Sequence, residues 1–348
     1  MKIHLEYVWI DAFNNLRSKI RIIEINSRDI KVKNIPEWSF DGSSTGQAMG
    51  HDSDILLIPV VLYKNPFVDY MDSRLVLCEC MDKNRTVLPS NHRAQCWDDY
   101  ILYKDHECLF GIEQEYVIFE RKNDYGEDDI NKNLPYMWKE HNEPELGGQG
   151  PYYCAVGGDR AFGREISNKH LQLCLKMGLS ICGTNAEVMA SQWEFQIGTC
   201  DAITVCDDLW IARYVLNRIS EEYNCWISYD PKPYKGSWNG SGAHCNMSTK
   251  EMRDPNGLDK ILEACDKLKN NHEEHMKVYG EKNEERLCGL YETSNMDQFT
   301  VGAGNRGCSI RIPHHVINNK CGYFEDRRPA ANIDPYLVVS KLMKTVCE

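Results

Sequence analysis

The chain has 348 residues, enough for two ordinary domains or one domain with a large sheet. Its 42% hydrophobic and 26% charged residues describe an ordinary folded globular protein, and a net charge of −12 argues against a general binder of nucleic acid or anionic membrane. Sixteen cysteines are scattered with no CxxC pair, which argues against a zinc–thiolate site and for reduced thiols in a cytoplasmic protein.

The opening MKIHLEYVWID lacks the long apolar core of a signal peptide. The longest apolar run, ILLIPVVLY from Ile55, is interrupted by Pro59 and is too short to span a bilayer. The first ~80 residues read as strands separated by turns: IHLEYVWI, KIRIIEI, DILLIPVV and RLVLCEC. RTVLPSNHR (85–93) then gives way to AQCWDDYILYK, the first clear helical pattern, so a domain boundary is expected near residue 85. This divides the chain into 1–85 and 86–348.

Next comes GIEQEYVIFE (111–120), a buried strand by its Val117, Ile118 and Phe119. Side chains alternate along a strand, so Glu113 and Glu115 share the face of Val117 and Phe119, about 6–7 Å apart. Two carboxylates so placed repel, and neither has a basic neighbour in sequence. The polar stretch 123–150, rich in Gly, Pro, Asn and Asp, reads as a long surface loop. Helices are expected over 159–177, 201–222, 258–279 and 335–345, the last capped by Asp334 with Pro335 in its first turn. Strands are expected over 110–120, 180–187, 192–197, 243–248, 307–312 and 322–327, and no internal repeat is visible.

Four further groups join the opening pair. AEVMASQWEF supplies Glu187 and Glu194, NGSGAHCN supplies His244, and GYFEDRRP supplies Glu325. A single strand glutamate is usually solvated, and a single histidine is usually a hydrogen-bonded core residue. Five glutamates at element ends among apolar residues are another matter, because each would cost several kcal/mol if desolvated without a partner. Oxygen-rich clusters suit Mg²⁺ or Mn²⁺, with the imidazole leaning towards Mn²⁺. Divalent cations between Glu113 and Glu115 would resolve their repulsion.

Downstream, Arg286, Arg306, Arg311 and Arg327 supply forks that bind carboxylate and phosphate oxygens bidentately. Carboxylates with metals beside several arginines form the layout for phosphoryl transfer from ATP. GAGNRG (302–307) fits GxGxxG, but a strand rather than a helix follows it, and no GxxxxGK[ST] is present. HEEH (272–275) is not HExxH and sits on a charged helix face.

WSFDGSSTGQA, GIEQEYVIF, GPYYCAVG, NAEVMASQWEFQIG, NGSGAHCNMS, RLCGLYETS, NRGCSIRIP and GYFEDRRPAANIDPY resemble glutamine synthetase of the eukaryotic type, in family order along nearly the whole chain from WID (9–11). The resemblance implies an α+β fold: a small N-terminal β-grasp domain plus a larger catalytic domain with a curved antiparallel sheet flanked by helices. It implies one metal on Glu115, Glu187 and Glu194 and a second on Glu113, His244 and Glu325, with two or three Mg²⁺ or Mn²⁺ per site. Trp238, Asn239, Gly240, Arg286, Arg306 and Arg327 would bind the amino-acid substrate. Glu113, Glu194, Asn246, Ser248, Arg306, Arg311 and Tyr323 would surround ATP. Asp41 would collect and deprotonate ammonium in the site of a neighbouring subunit, Glu292 would close the pocket, and Arg327 would face the transferring phosphate. The implied reaction phosphorylates the γ-carboxylate of L-glutamate with ATP, and ammonia then displaces phosphate to give L-glutamine.

The implied assembly is a homo-oligomer with active sites between subunits, in stacked pentameric rings. The start of the chain close to WID, the acidic 123–150 stretch and PHHVINNKC (313–321) depart from the family pattern, and bear on ring stacking and nucleotide-side loops. A γ-glutamyl ligase using another amine and a non-catalytic structural relative are the alternatives. The retained carboxylates and arginines speak against the second, and Asp41 with Glu292 speaks against a bulky amine.

Overall fold

A computed structural model describes residues 1–25, 30–121, 136–137 and 150–348. The expected loop over 123–150 lies almost wholly outside the described residues. The chain divides into two compact units, Met1–Asp99 with Leu173–Leu179, and Tyr100–Gln172 with Ser180–Glu348.

The first unit carries β1 (Lys2–Ile10), β2 (Leu16–Glu24), β3 (Trp38–Asp41), β4 (Asp54–Lys64) and β5 (Ser73–Met81), ordered β2-β1-β5-β4-β3. Ile3, Leu5, Tyr7 and Trp9 alternate onto one face of β1 and pack with Ile55, Leu57, Val76 and Cys78. The central β1–β5 pair is parallel and the others are antiparallel. Pro59 does not end its strand; the ladder shifts register between Pro59 and Val61, where a residue without an N–H can be absorbed. Residue 85, where the sequence changes character, lies in the turn after β5, with Arg85 at φ 64.

Then follow α1 (His92–Leu102), β6 (Leu109–Glu120), α2 (Arg164–Met177), β7 (Ile181–Ala186), β8 (Gln192–Cys200), α3 (Ala202–Glu222), β9 (Cys225–Ser228) and β10 (Ala243–Ser248). The remainder is α4 (Lys250–Arg253), α5 (Leu258–Asn270), α6 (His272–Met276), β11 (Val301–Ala303), β12 (Ile310–Ile312), α7 (His314–Asn319), β13 (Phe324–Asp326) and α8 (Pro335–Cys347). The sheet of the second unit runs β11-β12-β13-β10-β6-β8-β7, with β9 also on β6. It is antiparallel except for the β11–β12 pair, which is parallel.

Two helices differ from the sequence expectation for local reasons. The 159–177 pattern becomes helical only at Arg164, because Gly163 sits at φ +82, a left-handed conformation that no helix continues. The 258–279 pattern breaks at Asn271, whose side-chain amide donates to the Lys267 carbonyl and so ends α5.

The back of β6 explains its rigidity. Ile112, Gln114 and Tyr116 point away from Glu113 and Glu115 and are fully buried. From α3, Arg213 donates to Gln114 Oε1 through Nε (2.9 Å) and Nη2 (2.5 Å), and to the carbonyls of Ile333 (2.8 Å) and Ala331 (3.0 Å). One guanidinium thus ties the central strand, the long helix and the entry to α8. Asp201 caps α3 by accepting from the backbone of Ile203 and Thr204, and Asp334 caps α8 by accepting from Tyr336.

Arg213→Ala should destabilise the protein by roughly 3 kcal/mol or more, because it strands Gln114 Oε1 and the Ile333 carbonyl in the core. Arg213→Lys should recover only part of that, read as the order of Tm values in thermal melts. Acid sensitivity follows from His170 and His275, which burial lowers to about 4 and about 3. A depressed histidine contributes stability above its ordinary value near 6.5, lost as pH falls through the folded value. Tm should therefore decline from about pH 6.5 towards about pH 4, and less steeply in His170→Gln, which takes on no charge.

Candidate active site

Register and alternation bring the acidic groups to one face. Across β6 and β8, Glu113 pairs with Gln196 and Glu115 with Glu194; across β6 and β10, Glu113 pairs with His244. Across β10 and β13, Asn246 pairs with Glu325, which pairs in turn with Arg311 on β12. Each of these pairs lies on the face opposite Gln114, so one pleat presents five strands of chemistry to one side. Glu187 joins just after β7, its N–H bonded to the Gln192 carbonyl.

The second unit holds a cavity of about 190 Å³ lined by Glu113, Glu115, Glu187, Glu194, His244, Asn239, Gly240, Arg286, Glu292, Arg306 and Arg327, with Tyr153, Gln192, Tyr291 and Thr293. Two donor sets form around it: Glu113, His244 and Glu325, and Glu115, Glu187 and Glu194, each with ligand atoms within 4.8 Å of one another. Glu113 and Glu115, neighbours on the strand face, therefore belong to different sets.

The electrostatics are those of crowded, desolvated carboxylates. Burial raises Glu115 to about 7 against the pull of Arg286. Burial, then repulsion from Glu115, raises Glu187 to about 8. Burial followed by repulsion from Glu113, Glu187 and Glu115 pushes Glu194 well above the carboxylate range. His244, driven down by burial and by Arg327, is neutral. Its Nε2 lies 3.1 Å from Arg286 Nη2. Its Nδ1 faces Glu113 Oε2 at 3.5 Å and Glu325 Oε1 at 3.7 Å, buried and without a hydrogen bond.

The arginines are held in place. Glu325 accepts from Arg327 Nη1 (2.5 Å) and Arg311 Nη1 (2.8 Å). Arg327 Nε also donates to the Arg306 carbonyl at 2.9 Å. Arg286 donates to the carbonyls of Arg327 (3.0 Å) and Arg328 (3.3 Å), and burial lowers its guanidinium to about 10. Gly242 makes room: a Cβ there would lie 2.4 Å from Arg286 Nη2 and 2.9 Å from His244 Nε2. Behind this face Asp326, Arg328, Tyr279 and His275 form a buried chain, with Arg328 on both Asp326 oxygens (2.9 and 2.6 Å) and Tyr279 Oη donating to Asp326 at 2.7 Å.

A second cavity of about 230 Å³ shares Glu113 and is lined by Asn246, Ser248 and Tyr323 with Leu109, Phe110, Gln196 and Thr199. Asn246 Nδ2 donates to Glu113 Oε1 at 2.9 Å, joining the two. Trp238 packs instead with Tyr234 against the clusters of Tyr152, Phe162, Ala190 and of Val117, Phe119, Met189. Asp41 belongs to the first unit, where its carboxylate accepts from the backbone and hydroxyl of Ser43 and from Ser44; these bonds, Ser43 foremost, hold it below the usual range.

The sequence reading passed over Gln192, whose Nε2 donates to the Gly240 carbonyl (2.9 Å) and Ser241 Oγ (3.1 Å) behind Glu115. The signal was present: Gln192, Glu194 and Gln196 alternate onto one face of β8. Tyr291, which the sequence did not single out, lies beside Glu292, which it did. Both sit at positive φ, 54 and 62, two consecutive non-glycine residues in the left-handed region beside the cavity.

Residues 93–264 match the family profile described as glutamine synthetase, catalytic domain. A glutamine synthetase of Candida glabrata is 48% identical over 346 residues, 99% of this chain and 89% of that protein. That of Saccharomyces cerevisiae is 48% identical over 99% of this chain and 90% of its own length. A putative glutamine synthetase of Acanthamoeba polyphaga mimivirus is 46% identical over 99% and 94%. Among solved structures, Plasmodium falciparum glutamine synthetase superposes with a TM-score of 0.77 at 17% identity, covering 99% of this chain and 71% of that one.

A site whose carboxylates repel should be stabilised by countercharge. Mg²⁺ or Mn²⁺ added to chelator-treated protein at neutral pH should raise Tm, with a gain near 2.7 kcal/mol at a hundredfold excess over Kd. Glu194→Gln should shrink that gain, measured by scanning fluorimetry with and without the cation.

Proposed function

The chain belongs to the glutamine synthetase family, and on that premise we propose how its two cavities divide the work. The protein is an ATP-dependent ligase that joins ammonia to L-glutamate, giving L-glutamine, ADP and phosphate through γ-glutamyl phosphate. The family is metal-dependent, and the donor sets fit divalent cations: they are oxygen-rich, carry one imidazole, and leave His244 Nδ1 buried and unpartnered towards two carboxylates. In this reading Glu115, Glu187 and Glu194 hold one Mg²⁺ or Mn²⁺, Glu113, His244 and Glu325 hold another, and two or three ions serve each site. When bound, such ions neutralise phosphate oxygens during phosphoryl transfer.

The remaining roles fall to the chain's own groups. Arg286, presented over the Gly240 turn beside Asn239, takes the substrate α-carboxylate. The cavity of Asn246, Ser248 and Tyr323 takes the nucleotide, with phosphates running past Glu113 and Glu194 towards Arg306, Arg311 and Arg327. Arg327 faces the transferring phosphoryl group, held by Glu325 and the Arg306 carbonyl so that little ordering is needed when charge develops. Glu292 closes the pocket, Trp238 buttresses the Asn239–Gly240 turn, and exclusion of water spares the acyl phosphate. Asp41, kept ionised by its serine hydrogen bonds, binds ammonium and removes its proton.

Residues 1–85 form the β-grasp domain and 86–348 the catalytic domain in this scheme. The protein works as a homo-oligomer of stacked pentameric rings, Asp41 completing the site of a neighbouring subunit, in the cytoplasm. Sixteen free thiols accord with a reducing compartment, and no helix among the described residues is long and apolar enough to cross a membrane.

The observation that carries this reading is the pair of donor sets facing buried arginines in one cavity. Purified protein with ATP, Mg²⁺ and glutamate should release ADP in step with glutamine only when ammonium is added. Glu325→Ala should lower that rate by more than the roughly 10–100-fold typical of losing an outer-sphere partner, and Glu325→Gln, which keeps an acceptor oxygen for Arg311 and Arg327, should do the same with less loss of Tm. Normal ADP production by either variant would contradict the assignment of Glu325, while ADP release indifferent to ammonium would contradict the reaction.

A further inference from the structure

The mechanism uses none of the sixteen cysteines, yet two of them meet. Cys108 and Cys347 are 239 positions apart, and their Sγ atoms lie 3.6 Å from each other. Cys108 immediately precedes β6 and is buried, while Cys347 ends α8 and is partly exposed. Neither segment is loosely held. Lys267 Nζ from α5 donates to the Val346 carbonyl at 2.9 Å, and Tyr103 Oη donates to Glu348 Oε1 at 2.7 Å. On the other side, Arg253 Nη2 donates to the Glu107 carbonyl at 2.8 Å.

We propose that Cys108 and Cys347 form a reversible disulfide, driven by a small-molecule disulfide as oxidant, that staples the end of α8 to the start of β6. The two thiols differ in a way that assigns their roles. Cys347 is the one solvent reaches, and the hydrogen bond from Cys108, with Lys267 nearby, holds it below the ordinary thiol range. Cys108 is pushed up by that same hydrogen bond and by burial. A thiolate is the attacking species in exchange, so Cys347 is the entry point and Cys108 the resolving thiol.

The exchange balances without any other reactant. The Cys347 thiolate attacks one sulfur of the oxidant RSSR, forming Cys347–S–SR and expelling RS⁻. Cys108 then loses its proton to RS⁻ or water and attacks Cys347 Sγ, expelling the second RS⁻. Two protein thiols are oxidised and one RSSR is reduced to two RSH. Bond formation needs the sulfurs to close from 3.6 Å to about 2.05 Å, a side-chain adjustment rather than a search. Leu109 and Phe110, directly after Cys108, line the 230 Å³ cavity, so the staple fixes one of its walls.

The test is peptide mapping by mass spectrometry after the folded full chain is incubated with oxidised glutathione and its remaining thiols are blocked. The expected product is a peptide pair joined through Cys108 and Cys347 that separates on treatment with dithiothreitol and melts at higher temperature in the intact protein. In Cys108→Ser, Cys347 should be trapped as a glutathione adduct; in Cys347→Ser, Cys108 should stay reduced. A parent protein that carries glutathione on Cys347 without the cross-link, or reacts at neither position, overturns the proposal. So does a Cys347→Ser variant in which Cys108 reacts as readily as before, which would remove the assigned order. A cross-linked protein with unchanged Tm would remove the staple. None of these outcomes depends on the ligase reaction.

Discussion

The structure is organised around the cost of gathering five carboxylates and an imidazole at one pleated face. Glu113, Glu115, Glu194 and Glu325 are brought together by register across β8, β6, β10 and β13, with Glu187 joining from just after β7, and register is the element that sheet geometry fixes most strictly. A slip by one residue in a strand would send its carboxylates to the back of the sheet. Such a slip is opposed from behind. Gln114 and Asp326, the back-face neighbours of Glu113 and Glu325, are each gripped by a fully or nearly fully buried arginine, Arg213 and Arg328. The polar back-face contacts are local and satisfied, so they hold the strands without adding charge to the front.

The positive groups of the site are arranged by a complementary logic. Arg327 and Arg311 are spent on Glu325, which gives that buried carboxylate two ion-pair partners and leaves each guanidinium further donors. Arg286 is different. Its hydrogen bonds go to two backbone carbonyls and His244, and among the described residues it makes no ion pair. A buried guanidinium oriented by neutral acceptors keeps its charge for an anionic ligand, and its lowered value of about 10 measures the desolvation it bears meanwhile. Because the acceptors are the carbonyls of Arg327 and Arg328, directly after β13, the segment that carries Arg327 also positions Arg286. A shift in β13 would therefore disturb both guanidinium groups together.

Much of this was legible in sequence, and the limits are physical. Alternation put Glu113 and Glu115 on one face, and it could equally have placed Gln192 with Glu194. The arginines could be named as phosphate and carboxylate forks, but pairing Arg311 and Arg327 with Glu325 while leaving Arg286 to carbonyls depends on tertiary contacts that no local pattern encodes. The split of Glu113 and Glu115 between two donor sets came from family resemblance; local reasoning placed cations between them and went no further. Helix ends failed where single residues overrode periodicity, at Gly163 through its φ and at Asn271 through its side-chain amide. The short strands β3 and β9 escaped notice because their four residues each are too few to show a period.

The division of labour between the two faces has a consequence for how this protein tolerates change. Front-face carboxylates are held at a cost: burial and repulsion push Glu115, Glu187 and Glu194 up, so neutralising one of them relieves strain in the fold while removing a ligand. Back-face groups are held at a profit to stability, since Gln114, Arg213, Asp326 and Arg328 satisfy one another and nearby carbonyls. Substitutions one residue apart on β6 should thus fall into opposite classes, one losing activity with the fold spared, the other losing the fold and activity with it. The strained pair Tyr291–Glu292 fits the first class, since two left-handed residues beside the cavity are conformations the fold supports rather than depends on. What looks in sequence like a single run of important residues is two interleaved sets under opposite physical demands.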